Sequence, residues 1–269
     1  MSDVAPLVLG SLSRAGDAGY LAAKDVADIA AALAVPYRLI GGNAVTLLTA
    51  VHGATDRVPA RETSDADFAA SYQVVGDPRL LPALTGRGYT QVKGNRFMRT
   101  LALPAQTSPP AVAGSWDLVM DVLAPSYQDR MISNQSHGQL VVDEVPGLAF
   151  ALGRPATHVQ IEVRLTSGHE LQATLELPDL LSALVLKTYA YTGRYADRDA
   201  LDLWRLLEAG AAAGITSQDW PPGPSTTYAA GTLRQFFGRP AAAGLGQASQ
   251  RRADQTRIVA LVSALVPTL

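Results

Sequence analysis

Two aspartates and a pair of glycines are the residues of this chain whose types and spacing suggest chemistry. Asp65 and Asp67 stand at positions i and i+2 of a predicted strand, so both side chains point to the same side. Gly41 and Gly42 precede them, between a short apolar strand and a predicted helix. Two carboxylates beside a turn that can accept phosphate suit a magnesium–nucleotide site. Taken alone, the glycines also fit an ordinary strand–helix turn, and the aspartates a solvated strand entry.

Two further aspartates lie on the strong apolar strand predicted over residues 116–123. Asp117 and Asp121 share one face of it by alternation. Burying an unpaired carboxylate costs several kcal/mol, so an aspartate inside an apolar strand needs a partner such as a metal ion. Asp121 is the preferred third carboxylate because it lies near the end of the strand, although Asp117 stays open. The alternative is an edge strand whose two aspartates face solvent.

A third group of charged residues lies on predicted helices. Lys187 follows several leucines in a helix over 178–191, and its ammonium must leave an apolar surface, which favours a position facing a triphosphate. Asp199 and Asp202 are three residues apart and share one face of a helix over 197–211. Arg198 and Asp202 could instead form a simple exposed i,i+4 pair.

The elements that must position these residues fall into two halves. Strands and helices alternate to about residue 177, and helices alone follow, which predicts an α/β (α+β) fold: a mixed-sheet core over 1–177 and a helical domain over 178–269 that completes the site. Asn43 is the predicted N-cap of a helix over 44–52. The other predicted elements are helices over 18–34, 77–85, 226–237 and 249–266, strands over 37–40, 65–72, 139–142, 158–165 and 171–177, a hairpin of 89–92 and 97–103, and a proline-rich loop over 106–114.

Composition narrows the class of protein. The chain has 269 residues, 48% of them hydrophobic and 17% charged, as is typical of globular proteins. It contains no cysteine, which excludes disulfides and thiol chemistry and is compatible with the cytoplasm. No apolar run approaches the roughly 18 residues of a membrane span, and the N-terminus lacks the basic region of a secretory signal. The net charge of −2 means that nucleic-acid binding would need a local basic patch.

The order of these motifs resembles that of the DNA polymerase β-like nucleotidyltransferase superfamily, and more narrowly of the AbiEii/MenT group of bacterial toxins. The similar segments span residues 38–203: a Gly-Gly turn, the Arg-x-Thr-x-Asp-x-Asp-Phe strand from Arg61 to Phe68, a helical lysine and an Arg-Asp-x-x-Asp-Leu helix. The resemblance implies a toxin that transfers a nucleotide from an NTP with Mg²⁺ (or Mn²⁺). The implied roles are metal binding by Asp65, Asp67 and Asp121, nucleotide binding by Gly41, Gly42, Asn43, Lys187 and Arg198, and positioning of Lys187 or reading of the base by Asp199 and Asp202.

The resemblance also implies partners for this activity. The expected acceptor is RNA, most often the 3′ end of tRNA, and toxins of this group are commonly paired with an antitoxin protein. Basic residues on the predicted hairpin are candidates for RNA contact, with Tyr89 and Phe97 as candidates for base stacking; they are Arg87, Lys93, Arg96 and Arg99. Asn43 departs from the usual Ser or Thr, but its amide can still donate to phosphate. The alternatives are a protein or small-molecule acceptor, or a non-catalytic nucleotide-binding regulator.

Overall fold

The computed structural model describes residues 5–101 and 116–268, so the predicted proline-rich loop over 106–114 and the end of the second hairpin strand lie outside the described residues. The first elements are a short strand and a long helix, followed by the strand and helix that carry the glycine turn. The elements in chain order are β1 Leu7–Gly10, α1 Arg14–Leu33, β2 Arg38–Ile40, α2 Gly41–Val51, β3 Asp65–Ala69, α3 Tyr72–Val75, α4 Leu80–Gly86, β4 Thr90–Lys93, β5 Arg96–Leu101, β6 Trp116–Pro125, β7 Ile132–His137, β8 Leu140–Val145, α5 Leu148–Leu152, β9 Thr157–Arg164, β10 Glu170–Leu177, α6 Leu180–Arg194, α7 Asp197–Ala212, α8 Pro224–Phe237, α9 Ala243–Ala248 and α10 Arg252–Leu265.

The larger sheet is mixed and is built around β6. Its strand order is β2-β3-β6-β5-β4, with β3 parallel to β6 and the other neighbours antiparallel. The last residues of β6 pair in parallel with β8, and β7 runs antiparallel beyond it. Helix α1 packs on β3 and β6. Most of β6 is therefore buried, which agrees with its nearly continuous apolar sequence.

A smaller sheet covers the other side of α1. Its strand order is β1-β9-β10, with β1 parallel to β9 and β9 antiparallel to β10, and α1 contacts β10. The helix begins after Ser13, whose hydroxyl accepts from the Gly16 N–H, as an N-cap does. Small side chains such as Ala22 and Ala23 are fully buried on α1, which lets it lie close to both sheets.

The C-terminal part of the chain is helical. Helices α6 to α10 follow β10, and α7 packs on α6, α9, α10 and also on α2 of the first part. Asp179 caps α6 by accepting from the Ser182 N–H. The predicted fold class, a mixed α/β core followed by a helical region, is confirmed. The division into domains at residue 177 stays a prediction, and one hydrophobic core runs through both parts. Among the described helices, none has the length and apolar character that crossing a membrane requires.

The start of α2 differs from the prediction. The predicted N-cap at Asn43 is wrong, because the helix begins at Gly41 directly after β2 and Ile40 occupies the cap position. Gly41 adopts φ +77°, so the chain turns from strand to helix within one residue. Asn43 therefore lies inside the first turn. Its side-chain amide donates to the backbone oxygens of Asp65 at 2.8 Å and Gly19 at 3.3 Å, which ties the turn to β3 and α1.

Candidate active site

Three carboxylates meet on one face of the larger sheet. In the parallel pairing of β3 and β6, Asp67 lies directly opposite Asp121, and Asp65 precedes Asp67 by two residues. Asp121 is buried, whereas Asp117 is exposed and accepts a hydrogen bond from the Thr100 hydroxyl at 2.7 Å. Of the two aspartates on β6, Asp121 is therefore the one beside the Asp65–Asp67 pair.

The glycine turn is packed directly against these carboxylates. A Cβ atom at position 41 would lie 1.7 Å from Oδ2 of Asp67, and one at position 42 would lie 2.7 Å from Nη1 of Arg61. Only glycine fits at position 41, for this reason and because of its positive φ. No side chain caps the N-terminus of α2, so the first N–H groups of this eleven-residue helix are oriented to bind an anion.

Lys187 is held by the two aspartates of the α7 motif. Its ammonium lies 2.8 Å from Oδ2 of Asp202 and 3.4 Å from Oδ1 of Asp199, and both carboxylates are fully buried. Burial works to raise the pKa of Asp199, but the hydrogen bond from Arg194 and the charge of Lys187 lower it below its ordinary value of 3.8. Asp199 therefore remains a charged partner of the lysine at neutral pH.

Three arginines complete this charge network. Arg61 contacts Asp202 at 2.9 Å, Arg205 contacts it at 3.6 Å, and Arg194 contacts Asp199 at 2.5 Å. With Lys187, four cations surround two carboxylates, which leaves an excess of two positive charges. Such an excess next to a helix N-terminus favours a polyanion such as a triphosphate.

Two of the three carboxylates, Asp65 and Asp67, face one cleft together with Lys187, Arg61 and Arg194. It has a volume of about 1100 Å³ and lies between the larger sheet and the helices α6, α7 and α8. Asp65, Asp67 and the glycine turn line one side, and Lys187 with residues 192–195 lines the other. The cleft-lining residues from the predicted site are Gly41, Gly42, Asp65, Asp67, Arg96, Lys187 and Arg198.

Arg96 neutralises the third carboxylate. Its Nε donates to Oδ1 of Asp121 at 2.9 Å and its Nη2 to Oδ2 at 2.7 Å, a two-point contact across the antiparallel pair β5/β6. Burial, the side chain of Asp65 and that of Asp121 raise the pKa of Asp67 from 3.8 to about 7, although Lys187 and Arg194 oppose this. The three carboxylates thus repel one another and need a counter-cation.

A divalent cation fits this donor set. Mg²⁺ prefers carboxylate oxygens together with substrate phosphate oxygens, which Asp65, Asp67 and a bound triphosphate would supply. Between residues 5 and 101 and between 116 and 268, no three acidic or histidine side chains are already grouped around one point as metal ligands. The arrangement therefore needs Arg96 to release Asp121 before that carboxylate can serve as a third ligand.

The repulsion at Asp67 predicts how stability depends on pH in metal-free buffer. Because its folded-state pKa is raised, the folded protein binds this proton more tightly than the unfolded chain, so this contribution to stability is complete below about pH 4 and is lost between about pH 4 and 7. An Asp67→Asn variant should unfold several degrees higher than the wild type at pH 8, a gain of up to about 4 kcal/mol. Thermal unfolding at pH 4.5 and pH 8 checks this, and an equal difference at both pH values would contradict it.

The ion pair between Arg96 and Asp121 predicts that Arg96 competes with a metal ion for this carboxylate. An Arg96→Ala variant should bind Mn²⁺ several-fold more tightly than the wild type in the absence of nucleotide, because Asp121 is no longer occupied. Titration calorimetry measures this without any assay of activity. Arg99→Ala is the matched control, since it removes an arginine from the same strand that pairs with Asp25 instead. Unchanged or weaker Mn²⁺ binding by Arg96→Ala would refute the competition.

The prediction that the basic residues of the hairpin form one surface patch is wrong. Arg87 and Arg99 pair with Asp25 of α1 at 2.7 and 2.8 Å, while Arg96, which lines the cleft, pairs with the buried Asp121. Arg96 and Arg99 are three apart in a strand and so lie on opposite faces. Lys93 is exposed. The predicted stacking side chains Tyr89 and Phe97 are both fully buried in the core and offer no ring to a base.

Three arginines pair with carboxylates of the site, and the sequence pattern does not predict this role for them. Arg61 lies within the Arg-x-Thr-x-Asp-x-Asp-Phe motif, four residues before Asp65, and this spacing was the available signal. Arg194 precedes α7 and lines the cleft beside Lys187. Arg96 was assigned to RNA, and only the pairing of β5 with β6 shows its partner.

Comparisons with known proteins give little further guidance. No protein-family model matches the chain, and no curated protein matches it. Among solved structures, the chain is similar to the crystal structure of an antigenic nucleotidyltransferase-like protein from Paracoccidioides brasiliensis. The identity is 14% and the TM-score 0.46, over 94% of this chain and 95% of that one.

Proposed function

We propose that this protein is a nucleotidyltransferase that transfers a nucleotide from an NTP in a reaction that depends on Mg²⁺ or Mn²⁺. The observation that carries the proposal is the packing of Gly41 against Asp67, which places a free helix N-terminus directly beside a carboxylate pair. Transfer of a nucleotide needs both features, a carboxylate site for metal and a site for phosphate, within the length of one triphosphate. Lys187, Arg61 and Arg194 of the positive network line the same cleft.

In the proposed reaction, each group of residues has a separate role. The N–H groups at the start of α2 and the ammonium of Lys187 hold the β- and γ-phosphates, and Asp65 and Asp67 hold the cation, with Asp121 as the third ligand once Arg96 moves. The bound metal supplies charge neutralisation of the triphosphate and activation of the attacking oxygen. The acceptor hydroxyl forms a bond to the α-phosphorus and gives its proton to a carboxylate, for which Asp121 is proposed. The bond between the α-phosphorus and the bridging oxygen breaks, and pyrophosphate leaves.

The acceptor we propose is RNA, most specifically the 3′ end of tRNA. This rests on the resemblance to AbiEii/MenT toxins, which also suggests a growth-inhibiting role, a cognate antitoxin and a cytoplasmic location. The cleft volume of about 1100 Å³ accommodates an NTP, because ligand sites for one small molecule span roughly 300–1000 Å³. A protein or small-molecule acceptor is the competing proposal.

One labelling experiment tests these proposals together. The purified protein is incubated with each α-labelled NTP, Mg²⁺ or Mn²⁺, and either total RNA or a cell extract freed of RNA. Label in tRNA supports the RNA acceptor, and label in protein or in small molecules supports the competing acceptors. Binding of NTP without any transfer would instead indicate a non-catalytic regulator, and neither binding nor transfer would overturn the proposed function.

A further inference from the structure

The junction between α6 and α7 carries an unusual residue. Tyr195 directly follows Arg194, the last residue of α6. It adopts φ +48° and ψ 40°, the left-handed conformation. This conformation is uncommon for a bulky side chain, and glycine would adopt it without strain. Such outliers persist where the surroundings hold them and are concentrated at ligand sites. Tyr195 thus forms the left-handed C-cap that ends α6.

The ring of Tyr195 is held firmly but left accessible. Its backbone N–H donates to the Tyr191 oxygen at 2.6 Å, and its carbonyl accepts from Nε2 of Gln247 at 2.8 Å. The ring packs against those of Tyr191 and Phe236, with centroids 5.5 and 5.7 Å apart and steep interplanar angles of 75° and 56°. Even so, Tyr195 is 52% exposed and lines the cleft.

Other residues that line the cleft with Tyr195 have the chemistry that recognises a nucleotide. Arg194 and Arg198 flank Tyr195 in sequence, and both line the cleft. The Gln235 amide, also on the cleft wall, has a donor and an acceptor that match the edge of a base. An exposed aromatic face, cations for phosphate and an amide for the base edge are the parts of a site for an unpaired base.

We propose that Tyr195 is the stacking platform for an unpaired nucleobase on the side of the cleft lined by α6, α7 and α8. This rests on the proposed nucleotidyl transfer and names the part of the site that recognises the base. The base belongs either to the NTP or to the last nucleotide of the acceptor strand. Both present the same flat π face and an adjacent phosphate, and the experiment distinguishes them.

The test compares variants at position 195 by binding rather than by activity. Tyr195→Gly removes the ring and suits the left-handed backbone, so the fold is retained, and Tyr195→Phe keeps the ring. Tyr127→Ala is the matched control, because it removes a tyrosine that is 74% exposed and does not line this cleft. The probes are ATP, inorganic tripolyphosphate, a short single-stranded RNA and the same RNA with an abasic 3′ end.

The expected result is a loss confined to ligands that have a base. Tyr195→Gly should bind either ATP or the RNA about 5- to 100-fold more weakly than the wild type, while Tyr195→Phe and Tyr127→Ala bind as the wild type does. Tripolyphosphate binding should not change. If the acceptor base is the ligand, the wild type should also lose affinity for the abasic RNA, and Tyr195→Gly should bind both RNAs alike.

Two negative results have different meanings. Equal binding of ATP and RNA by the wild type and Tyr195→Gly, with tripolyphosphate bound by both, would overturn the platform and leave the proposed function in place. Failure of the wild type to bind tripolyphosphate, ATP and RNA would overturn the proposed function and the platform with it.

Discussion

An Asp67→Asn variant is expected to lose nucleotidyl transfer by about a thousandfold or more, which corresponds to about 4 kcal/mol of transition-state stabilisation. Asp67 lies between Asp65 and Asp121 on the sheet face and touches the glycine turn, so its carboxylate is central to any metal bound there. The substitution has the same shape and removes only the charge. Single-turnover transfer of an α-labelled NTP, measured at saturating Mg²⁺, gives the rate.

The control for this variant is Asp117→Asn on strand β6. Asp117 is exposed, pairs with Thr100 and does not line the cleft, so its loss should leave transfer within about twofold of the wild type. Both variants should remain folded by circular dichroism. Transfer by Asp67→Asn within tenfold of the wild type would refute the metal-binding assignment.

A Lys187→Met variant should bind NTP at least tenfold more weakly, with the loss concentrated in the triphosphate. The ammonium supplies a charge in the cleft that a methionine of similar length cannot replace, and a charge-assisted contact with phosphate is worth more than a neutral one. The fold should survive with reduced stability, because Arg61 and Arg205 still neutralise Asp202. Titration calorimetry with ATP and with tripolyphosphate measures the loss.

Arg205→Met separates binding from stability. Arg205 contacts the same carboxylate as Lys187, but it is 3% exposed and reaches the Thr46 hydroxyl instead of the cleft. It should therefore lower the unfolding temperature as Lys187→Met does while it preserves affinity for tripolyphosphate. If the two variants lose affinity equally, Lys187 acts only through the fold and its assignment to the triphosphate fails.

Local pattern predicted most of the fold, and the strands that it missed form through non-local pairing. The hairpin β4/β5 was predicted from a turn signal at Gly94, and the helices after residue 177 from their apolar spacing. Strand β1 was missed because its four residues, alternately half-buried and exposed, become a strand through pairing with β9, about 150 residues further along. Strand β7 was missed because Ile132–His137 is almost entirely polar and becomes a strand through pairing with β8.

In the candidate site, too, some features follow from local spacing and others from the pairing of distant strands. Alternation along one strand predicted that Asp65 and Asp67 share a side, and three-residue spacing predicted that Asp199 and Asp202 do. Asp121 lies opposite Asp67 because of the pairing register of two strands some 50 residues apart in the chain. No local spacing in the sequence predicts this register. The prediction of one basic surface on the hairpin could have been rejected from the sequence alone, because Arg96 and Arg99 are three residues apart and cannot share a face of one strand.

The buried charge network also constrains how this sequence can change over time. Asp202 is contacted by cations from three separate stretches of chain: Arg61 before β3, Lys187 on α6 and Arg205 on its own helix. Loss of one partner leaves Asp202 with two cations, whereas loss of all three would leave a buried charge unpaired at a cost of about 3–5 kcal/mol, a large share of the stability of a typical domain. We therefore expect the chain to tolerate a change at one of these positions only while the other two cations remain, so the tolerance of each position depends on the residues at the other two.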